Sequence, residues 1–146
     1  MKYILVLFLC FSGILTAQAQ RLDELLRTVE SAKTDSLKIT AYAEVVNHFR
    51  YSQLDSAIFY AGEGLAYAQA RQYEFGEATM MNLLAQVNER HGFLDLAKAQ
   101  YGEARTIFHG IGYKKGIAAT TNGLGVVAGR TGKYDEATRH FLQALI

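Results

Sequence analysis

The chain has 146 residues, half of them hydrophobic and a fifth charged, with a formal net charge of +1. That length holds one domain of ordinary size, and the near-neutral charge excludes nucleic acid or an anionic membrane as a partner won by bulk electrostatics. No proline occurs, and Ala, Leu, Glu, Gln and Arg are abundant, so the composition points to an all-α chain.

Taken in order, Met1-Lys2 supplies one positive charge and Tyr3 to Leu15 is uncharged and mostly apolar. Ala17-Gln18-Ala19 then fits the small-x-small cleavage pattern of a secretory signal peptide. The apolar run is shorter than the about 20 residues of a membrane-spanning helix. The expectation is cleavage after Ala19 and an exported protein, periplasmic or in the cell envelope. An uncleaved N-terminal anchor is the competing reading, and the mass of the mature N-terminus decides between them. Cys10 follows Leu7-Phe8-Leu9 rather than small residues at a cleavage point, so lipidation is not expected. Cleavage would remove the single cysteine, and with it any disulfide, thiolate nucleophile or cysteine-based metal site. Loss of Lys2 would bring the net charge to zero.

Leu22, Leu25, Leu26 and Val29 stand at helical spacing and predict a leading helix over Arg21 to Glu30. With a polar loop from Ser31 to Ser36 this makes a leading segment, 20–37. Leu37 to Arg50 reads as the next helix, with Ile39, Tyr42, Val45, Val46 and Phe49 apolar. Asp55 is expected to cap a helix reaching Ala70. After a turn at Arg71-Gln72-Tyr73-Glu74, helices are predicted over Phe75–Arg90 and Asp95–Phe108, the latter ended by Gly110-Ile111-Gly112. The last two run over Lys114–Arg130 and Asp135–Ile146.

These helices repeat. Ala57, Ala97 and Ala137 are spaced by 40, as are Asp55, Asp95 and Asp135, and Arg50, Arg90 and Arg130. Tyr73 aligns with Tyr113, Gly76 with Gly116, Asn82 with Asn122, Leu84 with Leu124, Gly92 with Gly132 and Tyr101 with Phe141. Three units follow: 38–77, 78–117 and 118–146. Two helices approach closely only where one offers small side chains to the other's backbone. Ala57, Ala97 and Ala137 do so in the second helices, Ala85 and Gly125 in the first. One such hairpin cannot bury its apolar face alone, so stability comes from stacking.

The pattern resembles the tetratricopeptide repeat. Unit three supplies Leu124-Gly125, Gly132, Tyr134, Ala137, Phe141 and Ala144; unit two supplies Leu84-Ala85, Gly92, Leu94, Ala97, Tyr101 and Ala104. Unit one departs from the pattern, with Glu44-Val45, Ser52, Leu54, Ala57, Ala61 and Gly64 in its place. The spacing of 40 is longer than the family's usual period of about 34. The resemblance covers about Lys38 to Ile146. It implies a right-handed superhelix, a solenoid of stacked antiparallel helix pairs, whose first helices line a concave groove. By the same resemblance the groove-facing positions are Tyr42, Asn82 and Asn122; Val46, Gln86 and Val126; and Arg50, Arg90 and Arg130.

Stacked Asn side chains can pair with the backbone of an extended peptide, and an arginine ladder can hold carboxylates. The structural alternative is that each Arg satisfies a helix C-terminus and pairs with the Asp five residues on. Mid-helix Asn82 and Asn122 have poor helix propensity, which favours a ligand role.

Catalysis is not expected. His48, His91, His109 and His140 are read as having no metal-ligand spacing to another His, Asp or Glu on one helix face, so no metal site is expected. Gly110, Gly112 and Gly116 lack the preceding strand and the spacing of a phosphate loop. No nucleophile elbow or kinase motif is present. The expectation is thus a non-catalytic, cofactor-free module that binds a protein or peptide, with no nucleic acid through this region. The second expectation is the sensory region of an envelope signalling protein, a histidine kinase or a transcriptional regulator, whose output domain is absent. The uncapped apolar edge of Phe141, Leu142, Leu145 and Ile146 suggests truncation. A missing C-terminal part would then attach to the membrane, or the edge would mediate self-association.

Overall fold

The computed structural model describes residues 20–145, so the predicted signal segment 1–19 and Ile146 lie outside the described residues. Within them the chain forms seven helices and no strand. These are α1 (20–31), α2 (Asp35–Phe49), α3 (Leu54–Ala70), α4 (Glu74–Arg90), α5 (Leu94–Gly110), α6 (Lys114–Arg130) and α7 (Tyr134–Ala144).

Local chemistry accounts for most boundaries. Thr34 caps α2, its hydroxyl accepting from the Leu37 amide at 3.3 Å, so the polar loop before it shrinks to 32–34. The glycine of a three-residue turn takes the left-handed conformation at Gly92, Gly112 and Gly132, which folds α5, α6 and α7 back on their predecessors. Gln72 holds the equivalent place before α4 at φ 53°. The expected Asp55 cap is not formed. Gln53, Phe93 and Lys133 stand at the N-cap positions of α3, α5 and α7 without a side-chain cap bond. Asp55, Asp95 and Asp135 lie one residue inside these helices, in the first turn, where they face the helix dipole instead.

Packing follows the small-residue register. Ala57 and Ala97 are wholly buried and Ala137 nearly so. Tyr101 is 2% exposed because Gly123 of α6 lies directly over its ring. The Phe108 ring lies against Gly116 in the same way. Tyr42 and the sulfur of Met80 both reach Gly64. Each large ring thus closes over a glycine of a neighbouring helix, and a helical glycine, poor in propensity, is retained where it lets the rings in. Val29 of α1 is buried, and Leu22, Leu25 and Leu26 join it against the core of α2, α3 and α4.

From α2 onward each helix touches its successor, and the first helices α2, α4 and α6 also meet one another in series. Among the described residues the second helices α3, α5 and α7 do not meet among themselves. This is a solenoid, and the layer whose members meet is the inner layer of its curve.

Candidate functional site

The inner layer carries three rows of equivalent side chains. In the first row Tyr42 is only 9% exposed. Its ring lies in the α2–α3 contact over Gly64, and burial, then the nearby Glu63 carboxylate, push its phenol up from the ordinary value. Asn82 is half-buried, with its Oδ1 enclosed and without a hydrogen-bond partner, and Asn122 is exposed. In the second row Val46 is fully buried, Gln86 is half-buried and Val126 is half-buried. Unit one, with apolar or aromatic residues at both registers, therefore fills them with core and presents little of Tyr42 to a ligand.

The third row holds Arg50, Arg90 and Arg130, and their surroundings differ. Arg50 donates from Nη1 to Gln86 Oε1 at 3.1 Å and from Nη2 to the Tyr51 hydroxyl at 2.6 Å. Its Nε is buried without an acceptor. Arg130 donates from Nη1 to both the backbone oxygen of Glu89 and its carboxylate, the latter at 2.8 Å. Arg90 is exposed and lies over the Tyr51 ring, 4.2 Å from its centroid. The reason is visible in the neighbouring units. Looking up the stack, Arg50 meets Gln86, while Arg90 would meet Val126 at the same offset. Looking down, Arg130 meets Glu89, while Arg90 would meet Phe49. Only an aromatic face is left for Arg90. The pairing with the Asp five residues on is not formed for any of the three among the described residues.

Tyr101 lies just beneath this row. Burial raises its phenol well above the ordinary range, the Glu89 carboxylate adds to this, and Arg50 opposes it. It is a neutral, packed residue at any physiological pH. Chemically the face offers amides that both donate and accept, forked guanidinium donors and one phenol ring. These suit the holding of a polar chain.

A family model described as the tetratricopeptide repeat matches residues 76–145. Residues 76–145 are tetratricopeptide repeats. A search of curated proteins returns no match. The match takes in α4 to α7, and the α2–α3 hairpin keeps the same register before it, with Ala57 buried at the place of Ala97 and Ala137. Tetratricopeptide repeats are modules of protein–protein interaction.

Two residues of the repeat face escape the sequence reading. Glu89 occupies a position held by Phe49 and Gly129 in the other units, and Tyr51 one held by His91 and Thr131. A motif defined by what the units share hides positions where they differ. The histidines need a correction, because His48 stands four residues after Glu44 on α2 and His140 four residues after Glu136 on α7. His140 does share a helix face with a carboxylate, its Nε2 lying 3.7 Å from Glu136 four residues earlier, and Lys98 reaches the same oxygen at 3.4 Å. No group of three or more metal-ligating side chains occurs among the described residues. Depressions of about 520 and 580 Å³ lie between α6 and the C-terminal end of α7, the first also lined by α5.

Proposed function

We propose that this chain is an exported, non-catalytic tetratricopeptide repeat module that binds an extended protein segment along the face of α2, α4 and α6. The observation that carries the proposal is Asn82. Its Oδ1 is enclosed and unbonded, and a buried polar atom left unpaired costs about 1–3 kcal/mol. Asn is also a poor residue in mid-helix. Half a turn of the amide exchanges its two ends, so Asn82 can offer either a donor or an acceptor to a peptide bond. Gln86 one turn on and Asn122 one unit on continue the row on the same layer. Support for export comes from the apolar run Tyr3 to Leu15 followed by Ala17-Gln18-Ala19. Support for a non-catalytic role comes from a face of amides, guanidiniums and a phenol, with no nucleophile set beside a base.

The test uses the full chain and a fluorescein-labelled pool of dodecapeptides, capped at both ends and randomised over Ala, Ser, Asn, Leu and Tyr. Members selected for binding should lose about tenfold in affinity with Asn82→Ala plus Asn122→Ala, the scale of one or two lost hydrogen bonds. Unchanged affinity would remove both residues from the binding face. The mature N-terminus, read by mass spectrometry of the expressed protein, should be Gln20; a chain still beginning at Met1 would defeat cleavage.

A further inference from the structure

The two depressions between α6 and the end of α7 share Ile117 and Gln143, so they adjoin as one trough. Its side chains depart from the repeat. Arg105 of α5 stands at the register of Leu65 and Leu145, and Thr121 of α6 at that of Ala41 and Met81. An apolar side chain at these places would help to close the seam between helices. Arg105 is instead half-buried, and its guanidinium makes no hydrogen bond or ion pair among the described residues. Thr121 is 4% exposed, and its hydroxyl, unlike that of Thr120, does not bond back to the carbonyls of α6. A buried hydroxyl without a partner costs the fold stability, and a ligand atom in the depression it lines would remove that cost. We propose that this trough binds a single-chain anionic amphiphile, an alkyl chain ending in a carboxylate. The site is separate from the row of Asn82, Gln86 and Asn122 and does not depend on the groove reading.

Charge selects the head of the ligand. Arg105 and His109 line the first depression, and Lys114 and Lys115 the second. Among the described residues no acidic side chain lines either one, and none of these four basic groups forms an ion pair. A local excess of positive charge in a chain of net charge +1 favours an anion. The fork of Arg105 matches the two oxygens of a carboxylate, and the Thr121 hydroxyl and Gln143 amide can donate beside it. Hydrocarbon selects the tail. Ile117, Ala118, Ala144 and Leu145 line the second depression, and Leu145 is 84% exposed until something apolar covers it. The volume of about 520 Å³ at the head end is that of a small-molecule site. A short anion would leave the hydrocarbon wet, and a neutral chain would leave Arg105 and Thr121 unanswered.

The experiment titrates the full chain calorimetrically with decanoate, decan-1-ol and butyrate. Decanoate should saturate one site and bind about tenfold more tightly than either of the others, since each lacks one half of the recognition. Arg105→Leu, which installs the residue of the other two units, should remove the preference for decanoate over decan-1-ol. Thr121→Ala should weaken decanoate by several-fold, and the remote Arg139→Gln should leave it unchanged. Both site variants take residues that the repeat already carries at these registers, so they are expected to keep the helical circular dichroism of the parent. Equal binding of decanoate and decan-1-ol would reduce the trough to a greasy patch and overturn the proposal. Uptake that never saturates, or decanoate binding indifferent to Arg105→Leu, would overturn it as well. A chain that sediments as a dimer and takes up no decanoate would assign the trough to a second copy instead.

Discussion

Gly123 and Gly102 both lie inside helices, yet they should respond to alanine with opposite signs. A Cβ at Gly123 would collide with the Tyr101 ring, which is 2% exposed and has nowhere to retreat. Overpacking of this kind costs about 1–3 kcal/mol and outweighs the helix-propensity gain, so Gly123→Ala should lower the denaturant midpoint. A Cβ at Gly102 meets nothing within 4 Å, and Gly102→Ala should stabilise by about 0.5–1 kcal/mol. Gly125 lies between these cases. Its added Cβ would come within 2.7 Å of Phe141, but that ring is 40% exposed and can swing aside, so Gly125→Ala should cost less than Gly123→Ala. Equal losses at Gly123 and Gly125 would contradict the account. Tyr101 and Phe141 are legible as matching repeat positions. That one is a locked core ring and the other a yielding one depends on α6 covering the first and no described helix covering the second.

At the scale of helices, polar ties fasten the hairpins as well as the apolar seam. The Tyr67 hydroxyl of α3 donates to Asp35 of α2 at 2.6 Å, and Arg71 reaches the same oxygen at 3.1 Å. Asp35 is held below its ordinary 3.8, mainly by the Tyr67 hydroxyl, and Glu136 below its ordinary 4.5, mainly by Lys98. A folded-state pKa below the unfolded one means stability that is present above the unfolded value and lost as pH falls through the folded value. Unfolding midpoints should therefore stay level from neutral pH to about pH 5 and decline below the ordinary carboxylate range. Asp35→Asn should flatten that decline, and an identical acid profile in the variant would show that Asp35 contributes nothing to it. The helices themselves were legible from apolar spacing, with α6 matching its predicted bounds of Lys114–Arg130. The place of Asp55 was not, because an Asp at the cap and an Asp one residue inside the first turn satisfy the same local signal.

Across the whole molecule, α4 touches α2, α3, α5 and α6, whereas α7 touches only α6 among the helices from α2 onward. In a stack of nearest-neighbour contacts, local opening begins where neighbours are fewest. Among α2 to α7, amide hydrogen exchange should find α7 the first to lose protection and α4 the last. Protection in α7 as high as in α4, in dilute solution, would mean that something else covers its exposed Leu142 and Leu145. The sequence by itself determined the helices, their pairing and their stacking, because a small residue recurring at a fixed offset is a direct statement of where two backbones must approach. Only the tertiary structure decided what each arginine of the repeated row does. Arg50, Arg90 and Arg130 are identical in the repeat, but the partners of Arg50 and Arg130 lie 36 and 41 residues away in a neighbouring unit, at positions the repeat leaves free to vary. Where the neighbour is Gln86 or Glu89 the arginine is spoken for. Where it is Val126 or Phe49, hydrocarbon that can accept no hydrogen bond, Arg90 keeps its fork open.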